Sequence, residues 1–154
     1  MYISVIGAGK CDDKTYNIAY EVGKLVAERE AILVCGGLGG VMDAAARGAK
    51  EAGGTSVGIL PDDTRIGASP HLTASLPTGM GHTRNTLIAH AADVVIAVGG
   101  EYGTLSEIGF ALKLGKPVVG IDTWQLKKKG QSVPAVFEAE TPEEAVGKAF
   151  ELAS

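Results

Sequence analysis

The chain has 154 residues and a formal net charge of −4, with 45% hydrophobic and 21% charged residues. This length suits one globular domain, residues 1–154, with a substantial core, and the composition argues against disorder. The negative charge argues against a nucleic-acid partner, and the lack of a secretory leader or of an apolar run of about 18 residues predicts a cytoplasmic protein without a membrane span.

Short apolar runs alternate with segments of helical pattern along the chain. Most of the runs are continuously apolar, which is typical of parallel strands covered on both faces. We predict seven strands, at Tyr2–Ile6, Ile32–Cys35, Ser56–Leu60, Leu72–Leu76, Val94–Val98, Val118–Ile121 and Ala135–Phe137. We predict five helices, at Thr15–Arg29, Val41–Ala52, Arg84–Ala91, Leu105–Leu114 and Glu143–Leu152. This alternation predicts an α/β fold, a single Rossmann-like, doubly wound, mostly parallel sheet of about seven strands flanked by helices.

Polar segments and the spacing of ligand-type residues complete the outline. Pro61–Pro70 is too polar and broken for a helix, and the basic cluster Lys127–Lys129 precedes a glycine, so both are predicted loops. The two cysteines and three histidines lack metal-ligand spacing, and Cys35 ends an apolar run as a buried thiol would. We therefore expect no metal held by the chain's own side chains.

Three glycine-rich turns directly follow predicted strands. Glycine permits positive φ and lets an anion approach the backbone, and a helix N-terminus adds free N–H groups. In doubly wound sheets, ligands bind at the carboxyl ends of the strands, where the strand order reverses. These turns therefore predict a cradle for a phosphorylated small molecule. The candidate ligand residues, with one arginine added below, are Gly7, Gly9, Gly36, Gly37, Gly40, Met42, Arg84, Gly99, Gly100, Glu101, Gly103 and Thr104.

Neither of the common nucleotide motifs is complete. No G-x-x-x-x-G-K-[ST] sequence occurs, which argues against a P-loop ATPase. The first turn lacks the third glycine of G-x-G-x-x-G, and no acidic residue ends the second strand to hold a ribose. An ordinary NAD-dependent dehydrogenase is therefore not expected.

Two charged residues are candidates for chemistry, and each has a structural alternative. Arg84 lies near the start of a predicted helix, where a cation opposes the helix dipole; a bound anion would explain it, as would a surface ion pair with a carboxylate. Glu107 fits a catalytic carboxylate, but Thr104-x-x-Glu107 also matches a capping box. A second box, Thr141–Glu144 with proline at the first helical position, is predicted to be structural.

Three separated motifs resemble those of the LONELY GUY proteins, long described as lysine decarboxylases. Gly99–Glu107 reads GGEYGTLSE and resembles their PGGxGTxxE signature, and Cys35–Met42 reads CGGLGGVM and resembles their GGGxxGLM turn. Met80–Arg84 lies where that family carries a short motif ending in Arg-Lys. The order and spacing agree from Tyr2 to about Ile121.

Characterised LONELY GUY proteins are phosphoribohydrolases that cleave the N-glycosidic bond of cytokinin riboside 5′-monophosphates. The resemblance implies that Arg84 and Glu107 would form the catalytic pair, and that Gly100, Gly103 and Thr104 would form the phosphate turn. A carboxylate can stabilise an oxocarbenium-like ribosyl centre or activate water without a cofactor. No sequence context for a pyridoxal-phosphate lysine is present, so decarboxylation is not expected.

The sequence departs from that signature at four positions. Gly99 replaces the proline, Glu101 the second glycine, Asn85 the lysine after the arginine, and Cys35 the first glycine of the other turn. A carboxylate at Glu101 would repel a phosphate unless it points away. These changes, and the compact length, more closely resemble a sister group of the same fold, the molybdenum cofactor carrier proteins, which bind a phosphorylated pterin.

The leading expectation is therefore a binding protein for a phosphorylated heterocycle, with molybdopterin, the molybdenum cofactor, as the candidate carried ligand. The alternatives are a nucleoside 5′-monophosphate phosphoribohydrolase and a nucleotide-sensing module. The resemblance also implies a homo-oligomer, a dimer or a tetramer. Apolar residues on two predicted helices favour this assembly: Leu87, Ile88, Phe110, Ala111 and Leu114.

Overall fold

A computed structural model describes residues 1–133 and 135–154, and its elements follow the predicted order. The strands are β1 Tyr2–Gly7, β2 Ile32–Cys35, β3 Ser56–Leu60, β4 Ala74–Pro77, β5 Val94–Val98, β6 Val118–Ile121, β7 Lys127–Lys128, β8 Gln131–Ser132 and β9 Val136–Glu138. The helices are α1 Asp13–Glu28, α2 Val41–Glu51, α3 Asn85–Ala91, α4 Tyr102–Lys113 and α5 Pro142–Leu152. A short 3-10 turn, Gly81–Arg84, precedes α3.

The main sheet has seven strands in the order β4-β3-β2-β1-β5-β6-β9, and every pair in it is parallel. From β1 the chain proceeds outward to β4, and it then returns to the other side of β1 with β5. The strand order therefore reverses between β1 and β5, where doubly wound sheets hold their ligands. The predicted Rossmann-like fold is confirmed.

The core lies on both faces of this sheet, as the continuously apolar strands predict. One face is covered by α1, α2 and α5, and the other by α3 and α4. All five residues of β5, Val94–Val98, are buried, as expected for a central strand. The close contact of α1 with α2 depends on glycine, because a Cβ at Gly23 or Gly48 would collide with the backbone of the facing helix.

A short hairpin, β7–β8, lies outside the main sheet and was not predicted. Its strands pair antiparallel and are joined by Lys129 and Gly130, whose φ angles are 51° and 78°. Positive φ at both central residues is the signature of a two-residue type I′ turn. The loop interpretation of Lys127–Lys129 is therefore wrong for its first two residues, because this exposed hairpin carries no apolar pattern by which to recognise it.

Other local predictions agree with the structure. The segment 61–70 contains no helix or strand. The Thr141 hydroxyl accepts a hydrogen bond from the Glu144 N–H (3.1 Å), Glu144 accepts one from the Glu140 N–H (2.9 Å), and Pro142 opens α5. This confirms the predicted cap of the last helix. Within residues 1–133 and 135–154, no helix has the length and apolar character that crossing a membrane requires.

Candidate functional site

A cleft of about 370 Å³ opens at the carboxyl ends of β1 and β5, at the point where the strand order reverses. Its lining combines the first and third predicted glycine turns with the segment around Arg84. The lining residues are Gly7, Ala8, Gly9, Lys10, Met42, His82, Arg84, Asn85, Glu101, Gly103, Thr104 and Glu107. Arg84 and Glu107, separated by 23 residues in sequence, thus lie in one cleft.

The turn after β5 is shaped by two glycines in the left-handed region. Gly99 has φ 56° and Gly100 has φ 98°, and a Cβ at Gly100 would collide with the side chain of Thr104. This tight turn allows α4 to begin at Tyr102, three residues before the predicted start. Gly99 and Gly100 therefore position the start of the helix and are not part of the cleft lining.

The N-terminus of α4 provides donors at the cleft. The first hydrogen bond of the helix runs from the Leu105 N–H to the Glu101 carbonyl, 3.0 Å away. The N–H groups of Gly103 and Thr104, which precede it and belong to cleft-lining residues, have no partner within the helix. No side chain caps this end. Free N–H groups and the positive end of the helix dipole together favour a bound anion.

The helices that follow the first two glycine turns begin differently from α4. The Asp12 carboxylate caps α1 by accepting a hydrogen bond from the Thr15 N–H (2.8 Å). The Val41 N–H at the start of α2 donates to the Ala8 carbonyl (3.0 Å). The start of α2, like that of α4, has no side-chain cap, but its first N–H is already bonded to the first glycine turn, so among the described residues the start of α4 is the freer helix end at the cleft.

The capping-box interpretation of Glu107 is wrong. Because α4 begins at Tyr102, Thr104 is its third residue and Glu107 lies in its second turn. Neither side chain makes a capping hydrogen bond, and both are buried, with 3% of Thr104 and 7% of Glu107 exposed. The residue spacing of a capping box is present, but the glycine turn moves the start of the helix.

Glu107 is a buried carboxyl group that is not neutralised by a close partner. Among the described residues it forms neither a side-chain hydrogen bond nor an ion pair within 4.0 Å. Burial raises its pKa to about 8, although the positive charge of Arg84 acts in the opposite direction. Glu107 is therefore mostly protonated at pH 7, and in that state it can donate a hydrogen bond into the cleft.

Arg84 is held by backbone carbonyls. Its Nε donates to the Ile59 carbonyl (2.8 Å), Nη2 donates to the Gly36 carbonyl (3.2 Å), and Nη1 bonds to the Asn85 side chain. The side chain is 7% exposed, and burial lowers the pKa of the guanidinium while Glu107 opposes this shift. The alternative of a surface arginine with a carboxylate partner is wrong, because Arg84 is buried and joins the ends of β2 and β3.

The glycines after β2 are packed against other parts of the chain, and one of them, Gly36, lies against Arg84. A Cβ at Gly36 would lie 2.6 Å from the Met42 sulfur and 2.7 Å from Arg84 Nη2. Gly37 and Gly40 have φ angles of 77° and 59°, and their Cβ positions are filled by other parts of the chain. Of this turn, only Met42 reaches the cleft. Gly36, Gly37 and Gly40 thus have a packing role, and their contact with a phosphate stays a prediction.

The structure adds cleft residues that the sequence analysis did not select. Lys10 directly follows the first glycine turn, and a basic residue next to a predicted phosphate turn is a pattern from which its place in the cleft could be predicted. His82 and Asn85 flank Arg84 on either side. The Asn85 amide donates to the Ser106 hydroxyl at 3.5 Å while its oxygen bonds to Arg84. Lys10 and Arg84 supply positive charge to the cleft, and the exposed carboxylate of Glu101 adds a negative charge.

A larger cavity, of about 680 Å³, lies near the ends of β6 and β9. Its lining includes four carboxylates and one lysine: Asp122, Glu138, Glu140, Glu144 and Lys14. This excess of negative charge does not suit a phosphate, so the smaller cleft is the candidate site for one. In the described part of the chain, no group of three or more His, Cys, Asp or Glu side chains is arranged to hold a metal ion.

A parallel doubly wound sheet with a cleft at the point where its strand order reverses defines a Rossmann-like domain. The chain belongs to the SLOG cluster4 family, whose sequence model matches residues 1–146. A protein from Archaeoglobus fulgidus, described as uncharacterized, is 49% identical over 150 residues, which cover 95% of this chain and 92% of that protein.

Two solved structures are similar to this chain over nearly their whole length. The molybdenum cofactor binding protein of Rippkaea orientalis has a TM-score of 0.89 and 32% identity, covering 99% of this chain and 97% of that one. The molybdenum cofactor carrier protein of Chlamydomonas reinhardtii has a TM-score of 0.84 and 34% identity, and the match covers 98% of this chain and 96% of that one. The resemblance to the carrier branch is confirmed.

Proposed function

We propose that this protein binds a phosphorylated pterin, the molybdenum cofactor, and carries it without changing it chemically. The observation that carries this proposal is the uncapped N-terminus of α4, which presents the N–H groups of Gly103 and Thr104 at the strand-order reversal. A terminal phosphate fits this place, because the helix end supplies both donors and positive potential. The similarity to two structures described as binding or carrying this cofactor supports the choice of ligand.

The remaining cleft residues suit the rest of such a ligand. Lys10 adds a positive charge, and Met42 offers a polarizable surface for a planar ring. A guanidinium has five N–H donors, and Arg84 uses three of them within the protein, so two are left for a ligand. Protonated Glu107 can donate a hydrogen bond to a ring nitrogen or carbonyl.

The state of Glu107 favours carriage over hydrolysis. Stabilising a ribosyl cation requires an ionised carboxylate, and burial, which raises the pKa of Glu107 to about 8, disfavours the ionised form. Arg84 is held by the carbonyls of Ile59 and Gly36 and makes no ion pair with Glu107 within 4.0 Å among the described residues. Glu101 also places a carboxylate in the cleft where the hydrolase signature has glycine.

A nucleoside 5′-monophosphate phosphoribohydrolase is the second candidate. The observation in its favour is that Arg84 and Glu107, the pair implied by the LONELY GUY resemblance, lie in one cleft. A buried carboxyl group with a raised pKa is also the form that a general acid takes at neutral pH.

Purification from a host that synthesises the molybdenum cofactor tests the proposal. Under anaerobic conditions, mass spectrometry of the denatured protein is expected to detect a phosphorylated pterin, and Gly103→Val is expected to reduce its amount. The same preparations are then incubated with AMP and other nucleoside monophosphates, and free base is measured by chromatography. Base release by wild type, with no pterin bound, would support the hydrolase instead.

A further inference from the structure

An exposed aromatic pair stands beside the cleft. Tyr102, the first residue of α4, is 78% exposed, and its ring centroid lies 5.8 Å from that of Trp124. Trp124 is fixed in place, because its indole N–H donates to the Glu101 carbonyl over 3.1 Å. An exposed aromatic ring held next to a cleft offers a planar face on which a ligand can stack.

The pair adjoins both cavities of this sheet edge. The residues on either side of Tyr102, Glu101 and Gly103, line the 370 Å³ cleft. Trp124 lines the 680 Å³ cavity near the ends of β6 and β9. A ligand that extends from the phosphate position at the start of α4 toward the larger cavity would therefore pass over the exposed Tyr102 ring.

The lining of the larger cavity indicates what such an extension would carry. Its four carboxylates, against the one lysine, disfavour a second phosphate but accept hydrogen bonds from amino and imino groups. The edge of guanine presents adjacent N–H donors of this kind, and any base offers a planar face for stacking on tyrosine. An uncharged nucleoside thus suits both the aromatic pair and the cavity beyond it.

We infer that Tyr102, supported by Trp124, is the stacking platform of a nucleobase subsite, and that the full ligand class is a dinucleotide: a phosphorylated heterocycle in the cleft joined through pyrophosphate to a nucleoside. This inference rests on the proposed carrier function and extends it. The heterocycle occupies the cleft and the pyrophosphate lies at the start of α4. The base stacks on Tyr102 and directs its donors toward the carboxylates of the larger cavity.

Anaerobic titration with two matched ligands tests the subsite. Molybdopterin and molybdopterin guanine dinucleotide differ by one guanosine monophosphate unit, that is, by the nucleoside and a second phosphate, and the Tyr102 variants below separate the contribution of the base. Trp124 is the single tryptophan of the chain, so its fluorescence reports binding next to it. We expect wild type to bind the dinucleotide at least about tenfold more tightly than it binds molybdopterin, because the stacking of one base provides a gain of this size. We also expect only the dinucleotide to change the Trp124 emission strongly.

Variants of Tyr102 separate stacking from general effects. Tyr102→Ala is expected to remove the roughly tenfold advantage of the dinucleotide and to leave molybdopterin affinity unchanged, while Tyr102→Phe keeps the advantage. Equal affinities of wild type for the two ligands would overturn the subsite and leave the carrier proposal standing. So would an equal loss for both ligands in Tyr102→Ala. If neither ligand binds wild type, the carrier proposal fails, and the subsite fails with it.

Discussion

The Arg84 guanidinium donates a hydrogen bond to the Gly36 carbonyl over 3.2 Å, and the same glycine has no room for a side chain against that guanidinium. Arg84 also bonds to the Ile59 carbonyl at the end of β3. One buried side chain therefore joins the carboxyl ends of two neighbouring strands and at the same time lines the candidate cleft. The position of Arg84 depends on a glycine 48 residues away in sequence.

Substitution of Gly36 by alanine is expected to destabilise the fold and displace Arg84. The new Cβ would lie 2.7 Å from Arg84 Nη2 and 2.6 Å from the Met42 sulfur, closer than real contacts allow. Overpacking of this kind costs about 1–3 kcal/mol, measurable by urea denaturation. The control is Gly147→Ala in α5, where a Cβ meets nothing within 4 Å, and we expect it to stabilise the protein slightly. Equal effects of the two substitutions would contradict this role of Gly36.

Substitution of Gly103 by valine is expected to abolish binding of a phosphorylated ligand while the fold stays intact. No atom lies within 4 Å of a Cβ at this position, which lines the cleft, so the side chain would fill ligand space. The matched control is Gly109→Val, also in α4 and also free of neighbours within 4 Å. Calorimetric titration and circular dichroism measure the two properties. Unchanged affinity in Gly103→Val would remove the start of α4 from the site.

Binding of a phosphorylated ligand is expected to weaken as the pH rises through about 8. Burial raises the pKa of Glu107 to about 8, so a rise through this value removes the hydrogen-bond donor proposed for the heterocycle and leaves a carboxylate that repels the phosphate, whose own second ionisation is complete by pH 7 to 8. In Glu107→Gln this loss between pH 7 and pH 9 should be absent. Titrations of both proteins at several pH values provide the measurement. A wild-type affinity that does not vary with pH would show that Glu107 lies away from the bound phosphate.

The same group links stability to pH. The pKa of Glu107 is raised from 4.5 to about 8 on folding, so the folded state binds the additional proton between these values. Wild-type stability should therefore fall as the pH rises through this range, by at most about 1.4 kcal/mol per pH unit, and level off above it. Glu107→Gln should lack this component, so the variant gains stability relative to wild type toward pH 9. Parallel denaturation curves at pH 6 and pH 9 distinguish the two cases.

We expect the protein to be a dimer or tetramer through the outer face of α3 and α4. Phe110 and Leu114 are 38% and 37% exposed there, and they line a depression of about 290 Å³. Of the other residues predicted for this face, Ile88 and Ala111 are fully buried in the core and cannot contribute. Light scattering at micromolar concentration should give an oligomer, and Phe110→Glu should shift it toward monomer. A monomeric wild type would contradict this expectation.

The sheet could be predicted from the sequence because its strands are covered on both faces. Continuous apolar runs such as Val94–Val98 have few other interpretations, and the glycines after β1 and β5 marked the correct ends of the correct strands. The apolar pattern places the start of β4 at Leu72, but the strand begins at Ala74. Leu72 precedes the strand and packs against Gly58, so it adds an apolar residue to the pattern without belonging to the strand.

The details of the site depended on tertiary contacts that local patterns do not contain. The spacing of Thr104 and Glu107 matches a helix cap, but the positive φ angles of Gly99 and Gly100 place the helix start elsewhere. Arg84 stands out in the sequence, yet its partners are carbonyls of distant strands, and no residue pattern near Arg84 predicts them. Local sequence therefore located the cleft, whereas packing determined which residues line it.

The most direct measurement of the central claim is an anaerobic binding titration of purified protein with molybdopterin, followed by analysis of the recovered ligand. We predict saturable binding with one ligand per chain, loss of that binding in Gly103→Val, and recovery of the pterin phosphate unchanged. The contradicting result is the absence of saturable binding in wild type, together with release of free base from a nucleoside 5′-monophosphate. That outcome would make the protein a hydrolase and not a carrier.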